Sequence, residues 1–206
     1  MHESYKVCKN CFNIIGKEDG CCNIKTAIDI DKNIYPIIKD LNEKGYETTY
    51  CCEGGYEYTS LDGFPTEVYS RPYISFSEEI LKDKNLMKTL AKYLLNLPFP
   101  WYIDAEDILV KGTIVIRRHN PTEKETEDEK IENLHILQQY IEEIPPRRLL
   151  KNIGMLENYI EQLFEEEYMF GKDNSPTMKS IQESINSLQE KIDSKEWKHS
   201  DKKFWK

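Results

Sequence analysis

No apolar run in the 206 residues approaches the roughly 20 that a membrane-spanning helix needs. The longest, "LLNLPF", is broken at Pro98. The opening stretch "MHESYKVCKNC" lacks the charged region, apolar stretch and small-residue site of a secretory signal, so a cytoplasmic location is expected. Histidine is scarce, and the four present are widely scattered. That scarcity argues against a catalytic zinc centre, and it nominates no partner for a cysteine nucleophile. Positive charge is also in deficit, with a net charge of −9 at neutral pH. A surface of that sign repels phosphate backbones, so nucleic acid would have to dock away from the bulk of the acids.

The acids are concentrated. Between Thr122 and Phe170 thirteen acidic residues face five basic ones, which accounts for −8 of the net charge. The last sixteen residues reverse the sign, with six lysines beside Trp197, Phe204 and Trp205. This basic aromatic tail is expected either to bind an acidic partner or to fold back on the chain's own acidic helices.

Periodicity divides the chain into three parts: a cysteine-rich segment (1–25), an α+β core (26–119) and an acidic helical region (120–206). In the core, Ile34, Ile37, Ile38 and Leu41 follow helical spacing, with Asp31 as the expected cap and Gly45 as the stop. "YETTYCC" and "PYISFS" read as strands on either side of a tyrosine-rich loop. Ser77 is expected to cap one helix from Glu78 to about Asn96, with Leu81, Leu86, Leu90, Leu94 and Leu95 on its apolar face. "WYIDAE" and "GTIVIRR" complete a helix-strand-strand-helix-strand-strand order.

In the third part, Thr122 and Glu125 have the spacing of a capping box. Three apolar seams follow: Ile131 to Ile144, Leu149 to Leu163, and Met178 to Ile192. Such seams bury on one another, on the core, or on a second subunit, so oligomerisation through these helices is one expectation.

The six cysteines suggest metal or packing more than a disulfide framework. Cys8-x2-Cys11 is a knuckle that can present two thiolates to one zinc ion. Cys22 (or Cys21) supplies a third ligand and Cys52 (or Cys51) a fourth, with His2 as a further alternate. The expected site is structural, made of Cys8, Cys11, Cys22 and Cys52. A working dithiol is disfavoured, because no strand–C-x2-C–helix setting or basic cluster would lower a thiol's pKa.

The stretch "IYPIIKDLNEKGYETTYCCEGG" resembles the core of a set of small proteins of Firmicutes and their phages, in which Leu-Asn, Lys-Gly-Tyr and Cys-Cys recur at this spacing before a "YI-x-F" strand. More distantly it is similar to the wybutosine-synthesis tRNA methyltransferase family, through Leu41-Asn42, Tyr46, Thr48, Cys52 and Gly54. The resemblance spans about 45 residues, Ile34 to Phe76. Where those families place His or Arg, this chain has Gly55, which offers only a backbone N–H.

Two functions follow as expectations. The first is a non-enzymatic binding protein, a phage-type inhibitor of a host or defence protein, acting in the host cytoplasm if phage-encoded. It would meet a basic protein surface through Glu127, Asp128, Glu142, Glu165 and Glu166. The second is a nucleotide- or RNA-base-binding protein, or a methyltransferase-like enzyme, using Glu53, Gly54, Gly55, Tyr56 and Tyr58.

Overall fold

A computed structural model of the chain describes residues 3–16, 26–61, 64–104, 114–121 and 123–199, with the backbone alone for 56–61 and 64–68. It is an α+β fold of antiparallel sheets and helices. β1 (Ser4–Cys8) pairs with β2 (Ala27–Asp31), so that Ser4 faces Asp31 and Cys8 faces Ala27. The cysteine-rich segment thus begins on a strand whose partner lies in the core, and Val7 is fully buried there.

α1 (Tyr35–Glu43) buries the predicted face, with Ile34, Ile37, Ile38 and Leu41 no more than 1% exposed. Its N-cap is Ile34, not Asp31, and no side chain caps it. The Asp31 carboxylate instead accepts the backbone N–H of Glu53 at 3.0 Å. Gly45 follows the helix with φ +87°, the left-handed conformation that lets the chain turn there.

β3 (Thr48–Cys52) enters a four-stranded antiparallel sheet in the order β3-β6-β8-β7, with β6 at Tyr73–Phe76, β7 at Trp101–Ile103 and β8 at Val115–Arg118. Register sets the faces. Cys51, Ile74 and Ile116 align on the side that packs on α1, whereas Cys52, Tyr73 and Arg117 lie on the other. The tyrosine-rich loop is itself a hairpin, β4 (Gly55–Leu61) against β5 (Phe64–Ser70), with Leu61 opposite Phe64.

The helix expected from Glu78 is two helices, α2 (Glu78–Lys82) and α3 (Lys84–Leu94). Asp83 divides them: its carboxylate accepts the N–H of Leu86 at 3.2 Å and caps α3, while Ser77 makes no side-chain cap. Leu95, assigned to the apolar face, is exposed.

α4 (Glu127–Glu143) starts with a capping box, but the pair is Thr126 and Glu129, not Thr122 and Glu125. Thr122 lies outside the described residues. Leu134, Leu137, Ile141 and Ile144 are buried as the seam predicts, and Ile131 at its start is exposed. α5 (Arg147–Phe170) follows after Pro145-Pro146, and α6 (Ser175–Asp193) packs back on it.

The helical region shares the core of the sheet: Leu134, Ile141, Leu150, Ile153 and Ile192 belong to one apolar cluster with α1 and α3. Polar contacts fix the junction. The Lys44 ammonium, 1% exposed, donates to the Ile141 carbonyl at 2.7 Å and pairs with Asp40 at 2.7 Å. Burial pulls Lys44 below its ordinary value, and Asp40, whose own carboxyl is raised by burial, partly offsets this. The Tyr46 hydroxyl donates to the Pro145 carbonyl at 2.6 Å.

Candidate functional site

Gly54 and Gly55 have φ of +70° and +137°, so the turn after β3 needs the backbone freedom of glycine. A Cβ on Gly54 would also lie 2.6 Å from the Pro72 nitrogen. The chain is pressed against Pro72 here, and the absent side chain makes room for it. Glu53 turns inward at 2% exposure. Its carboxylate accepts the Asn33 N–H at 3.0 Å and pairs at 3.2 Å with Lys130, whose side chain is 3% exposed. A charge buried to this degree must be paired, and this pair ties the loop to the first turn of α4. In this conformation the Glu53 carboxylate is turned towards α4, not towards solvent. Tyr56 and Tyr58 sit on β4, opposite Tyr69 and Glu67. Their side chains lie outside the described residues.

The cysteines divide between two places. Cys8 closes β1, and Cys11 occupies the turn after it, where the Phe12 N–H bonds the Cys8 carbonyl at 2.8 Å. Cys51 and Cys52 are neighbours on β3, on opposite faces of the sheet. Cys21 and Cys22 lie outside the described residues, as does His2. Among the described residues no group of three or more His, Cys, Asp or Glu could hold a metal ion. Cys8 and Cys11 are the two candidate ligands described on the β1 side, and Cys52 is the one described on β3. The Cys51 thiol is pushed up to about 12, first by burial, then by the Asp31 carboxylate and by Cys52. Its side chain packs against the core on that face of the sheet.

The acidic candidates do not form one patch. Glu127 and Asp128 stand exposed in the first turn of α4, with Glu127 2.8 Å from Lys130. Glu142 lies in the last turn of α4, about 20 Å further along the axis at 1.5 Å per residue. It accepts from Gln138 at 3.0 Å. Glu165 and Glu166 belong to the far end of α5, and Glu166 reaches Lys172 at 3.5 Å.

That far end has a character that the acid count missed. α3 crosses α5 at Gly154, where the backbones touch: a Cβ on Gly154 would overlap the Asn85 carbonyl. The Lys92–Glu157 and Lys88–Glu161 ion pairs flank the crossing. Beyond Glu161 the helix exposes Phe164, Tyr168, Met169 and Phe170, with Tyr168 92% exposed. Glu161, Phe164, Glu165 and Tyr168 fall at i, i+3, i+4 and i+7, one face of the helix. The signal was in the sequence, since "FEEEYMF" carries aromatics off the Leu149–Leu163 seam.

Arg118 and Glu125 form a second polar centre that sequence reasoning missed. Their ion pair is buried, the Tyr69 hydroxyl donates to Glu125 at 2.9 Å, and Asn133 reaches the same carboxylate at 3.2 Å. His119 stacks on Tyr102 with centroids 4.2 Å apart.

The start of the basic tail folds back. Trp197 is buried over Lys44 at 5.1 Å, and Lys195 and Lys198 reach Glu143 at 2.5 and 2.6 Å. Residues 200–206 lie outside the described residues. No helix among the described residues is long and apolar enough to cross a membrane. In comparisons with known proteins, the chain matches no family model, no curated protein and no solved structure.

Proposed function

We propose that this is a non-enzymatic binding protein whose far end of α5 docks on a protein with a basic surface. The observation that carries the reading is the exposed face Glu161, Phe164, Glu165 and Tyr168, continued around the helix by Glu166, Met169 and Phe170. Exposed aromatics and methionine beside carboxylates suit an apolar socket ringed by lysine or arginine, the composition of a protein hot spot more than of a solvated helix. The resemblance to phage-associated proteins extends this to an inhibitor of a host or defence protein. The inward-turned Glu53 weighs against the Cys51–Gly55 loop as the working surface. Zinc held by Cys8, Cys11, Cys22 and Cys52 belongs to the same proposal as a structural element. It requires about one zinc per chain by elemental analysis, and its absence, with all six thiols titrating, would exclude it.

The test is affinity capture on the wild-type protein and on a variant carrying Phe164→Ser, Tyr168→Ser, Glu165→Gln and Glu166→Gln, both checked for folding by circular dichroism. A stoichiometric protein partner should be retained by the wild type, weaken as salt rises, and be lost from the variant. A partner held equally by both, or self-association alone in sedimentation, refutes the assignment. If Tyr56→Phe with Tyr58→Phe abolishes binding instead, the loop hairpin is the site.

A further inference from the structure

We infer that the cleft between the turn after β1 and the first turn of α5 binds a small phosphate-bearing molecule of nucleotide size. The cavity is about 650 Å³, within the range of small-molecule pockets. Lys9 and Asn10 line it from one side, Arg147, Arg148 and Lys151 from the other, and Phe12 supplies an apolar wall. Four cations thus converge in one concavity of a chain whose net charge is −9. They come from segments about 140 residues apart in sequence, so local charge patterning does not explain their meeting.

Pairing does not account for the cluster either. Asp83 takes Lys151 at 2.8 Å and touches Arg147 at 3.7 Å. Lys9 and Arg148 have no carboxylate partner among the described residues. Glu47 is the one acid in the lining, and it is exposed. The cleft therefore holds an excess of positive charge that a bound dianion would neutralise. Arginine adds the planar fork that grips phosphate oxygens in pairs.

The wall that carries Lys9 is held in place before any ligand arrives. The Lys9 N–H bonds the Thr26 carbonyl at 3.0 Å, the Cys8 N–H bonds Asn13 at 3.0 Å, and the Tyr35 hydroxyl fixes the Phe12 carbonyl at 3.0 Å. Phe12 sits at φ +58° within this turn, held there by those bonds. On the other side the Arg147 N–H is fixed by the Lys44 carbonyl at 2.9 Å. A preorganised pocket loses little ordering entropy on binding. The class is a small molecule rather than a polymer, because thirteen acids between Thr122 and Phe170 would repel an extended phosphate backbone. This site is separate from the far end of α5 and stands whether or not that end docks a protein.

Calorimetric titration at low salt with pyrophosphate, ATP and a single-stranded oligonucleotide separates the sources. The cleft variant is Lys9→Gln with Arg148→Gln, two exposed and unpaired side chains whose loss leaves the fold intact. The control is Lys179→Gln with Lys191→Gln, which removes the same charge from α6. Wild type and control should bind pyrophosphate or ATP alike, and the cleft variant at least about ten-fold more weakly, as expected for losing two charge-assisted contacts. No binding of either small phosphate by the wild type at millimolar concentration overturns the inference. So does an equal loss in the control, which would mean unspecific charge attraction. Tighter binding of the oligonucleotide than of both small phosphates overturns the ligand class.

Discussion

Replacing Gly154 by alanine sets two effects of opposite sign against each other at one atom. On an isolated helix the change is favourable by about 1 kcal/mol, because alanine loses less backbone freedom than glycine. Here the added methyl would overlap the Asn85 carbonyl oxygen and lie 2.6 Å from its carbon and 3.2 Å from its Cα. These are backbone atoms of α3 and have no rotamer into which to retreat, so the two helices must part. Overpacking of this kind costs about 1–3 kcal/mol. Parting also stretches the buried bond from the Thr89 hydroxyl to the Leu150 carbonyl, 2.8 Å long, and leaving such a group unpaired costs about another 1–3 kcal/mol. Set against the propensity gain, the net loss is about 1–5 kcal/mol. Urea denaturation followed by circular dichroism measures it as a lowered midpoint. Asn152→Ala, exposed on the same helix, reports propensity alone and should be neutral or slightly stabilising. If Gly154→Ala raises the midpoint as that control does, the helices do not meet where described, and the placement of the exposed far end of α5 falls with it.

Two further outcomes follow from buried and paired charges. Lys130→Met should destabilise by about 3–5 kcal/mol by stranding the buried Glu53 carboxylate, whereas Lys130→Met with Glu53→Gln should recover much of that loss; equal stability of both variants in denaturation would contradict the pairing. The Glu143 carboxyl is held below its ordinary 4.5 by hydrogen bonds from Lys195 and Lys198. A depressed carboxyl contributes stability that is fully present above 4.5 and lost as pH falls through the folded value. Trp197 fluorescence, read with Trp101 and Trp205 replaced by Phe, should therefore report tail release only below 4.5, and less than about 1 kcal/mol is at stake because the pair is half-exposed. Release between pH 5 and 7 would refute that anchor.

Legibility differed by element for physical reasons. The face of α1 and the seam of α4 could be read because each repeats one hydrophobic period, and burial follows that period. The β4–β5 hairpin reads as a loop from its tyrosine-rich composition, although Asp62-Gly63 between Leu61 and Phe64 is a strong two-residue hairpin signal. The break at Asp83 was hidden because Ser77 already offers a start at Glu78 and the apolar period runs on past Asp83, whose carboxylate caps α3 at Leu86 and pairs with Lys151 from α5. Lys130 looked like an ordinary surface lysine, since the carboxylate that draws it inside lies 77 positions earlier. The cationic cleft was illegible for the same reason, as its two walls meet only in the folded chain.

Lys44 and Tyr46 receive their acceptors from residues 97 and 99 positions downstream. During synthesis at about 5–20 residues per second, the nascent chain waits roughly 5–20 s between making those donors and making the carbonyls that satisfy them. Until then the segment just after α1 carries an ammonium and a phenol without those acceptors, next to the apolar face of Ile38 and Leu41 that the later helices help to cover. The amino-terminal half therefore cannot complete its fold ahead of the rest, and a chain halted before Pro145 would leave that face open to chaperones and proteases. Closure of that face waits for the turn between α4 and α5, which brings the Ile141 and Pro145 carbonyls to Lys44 and Tyr46.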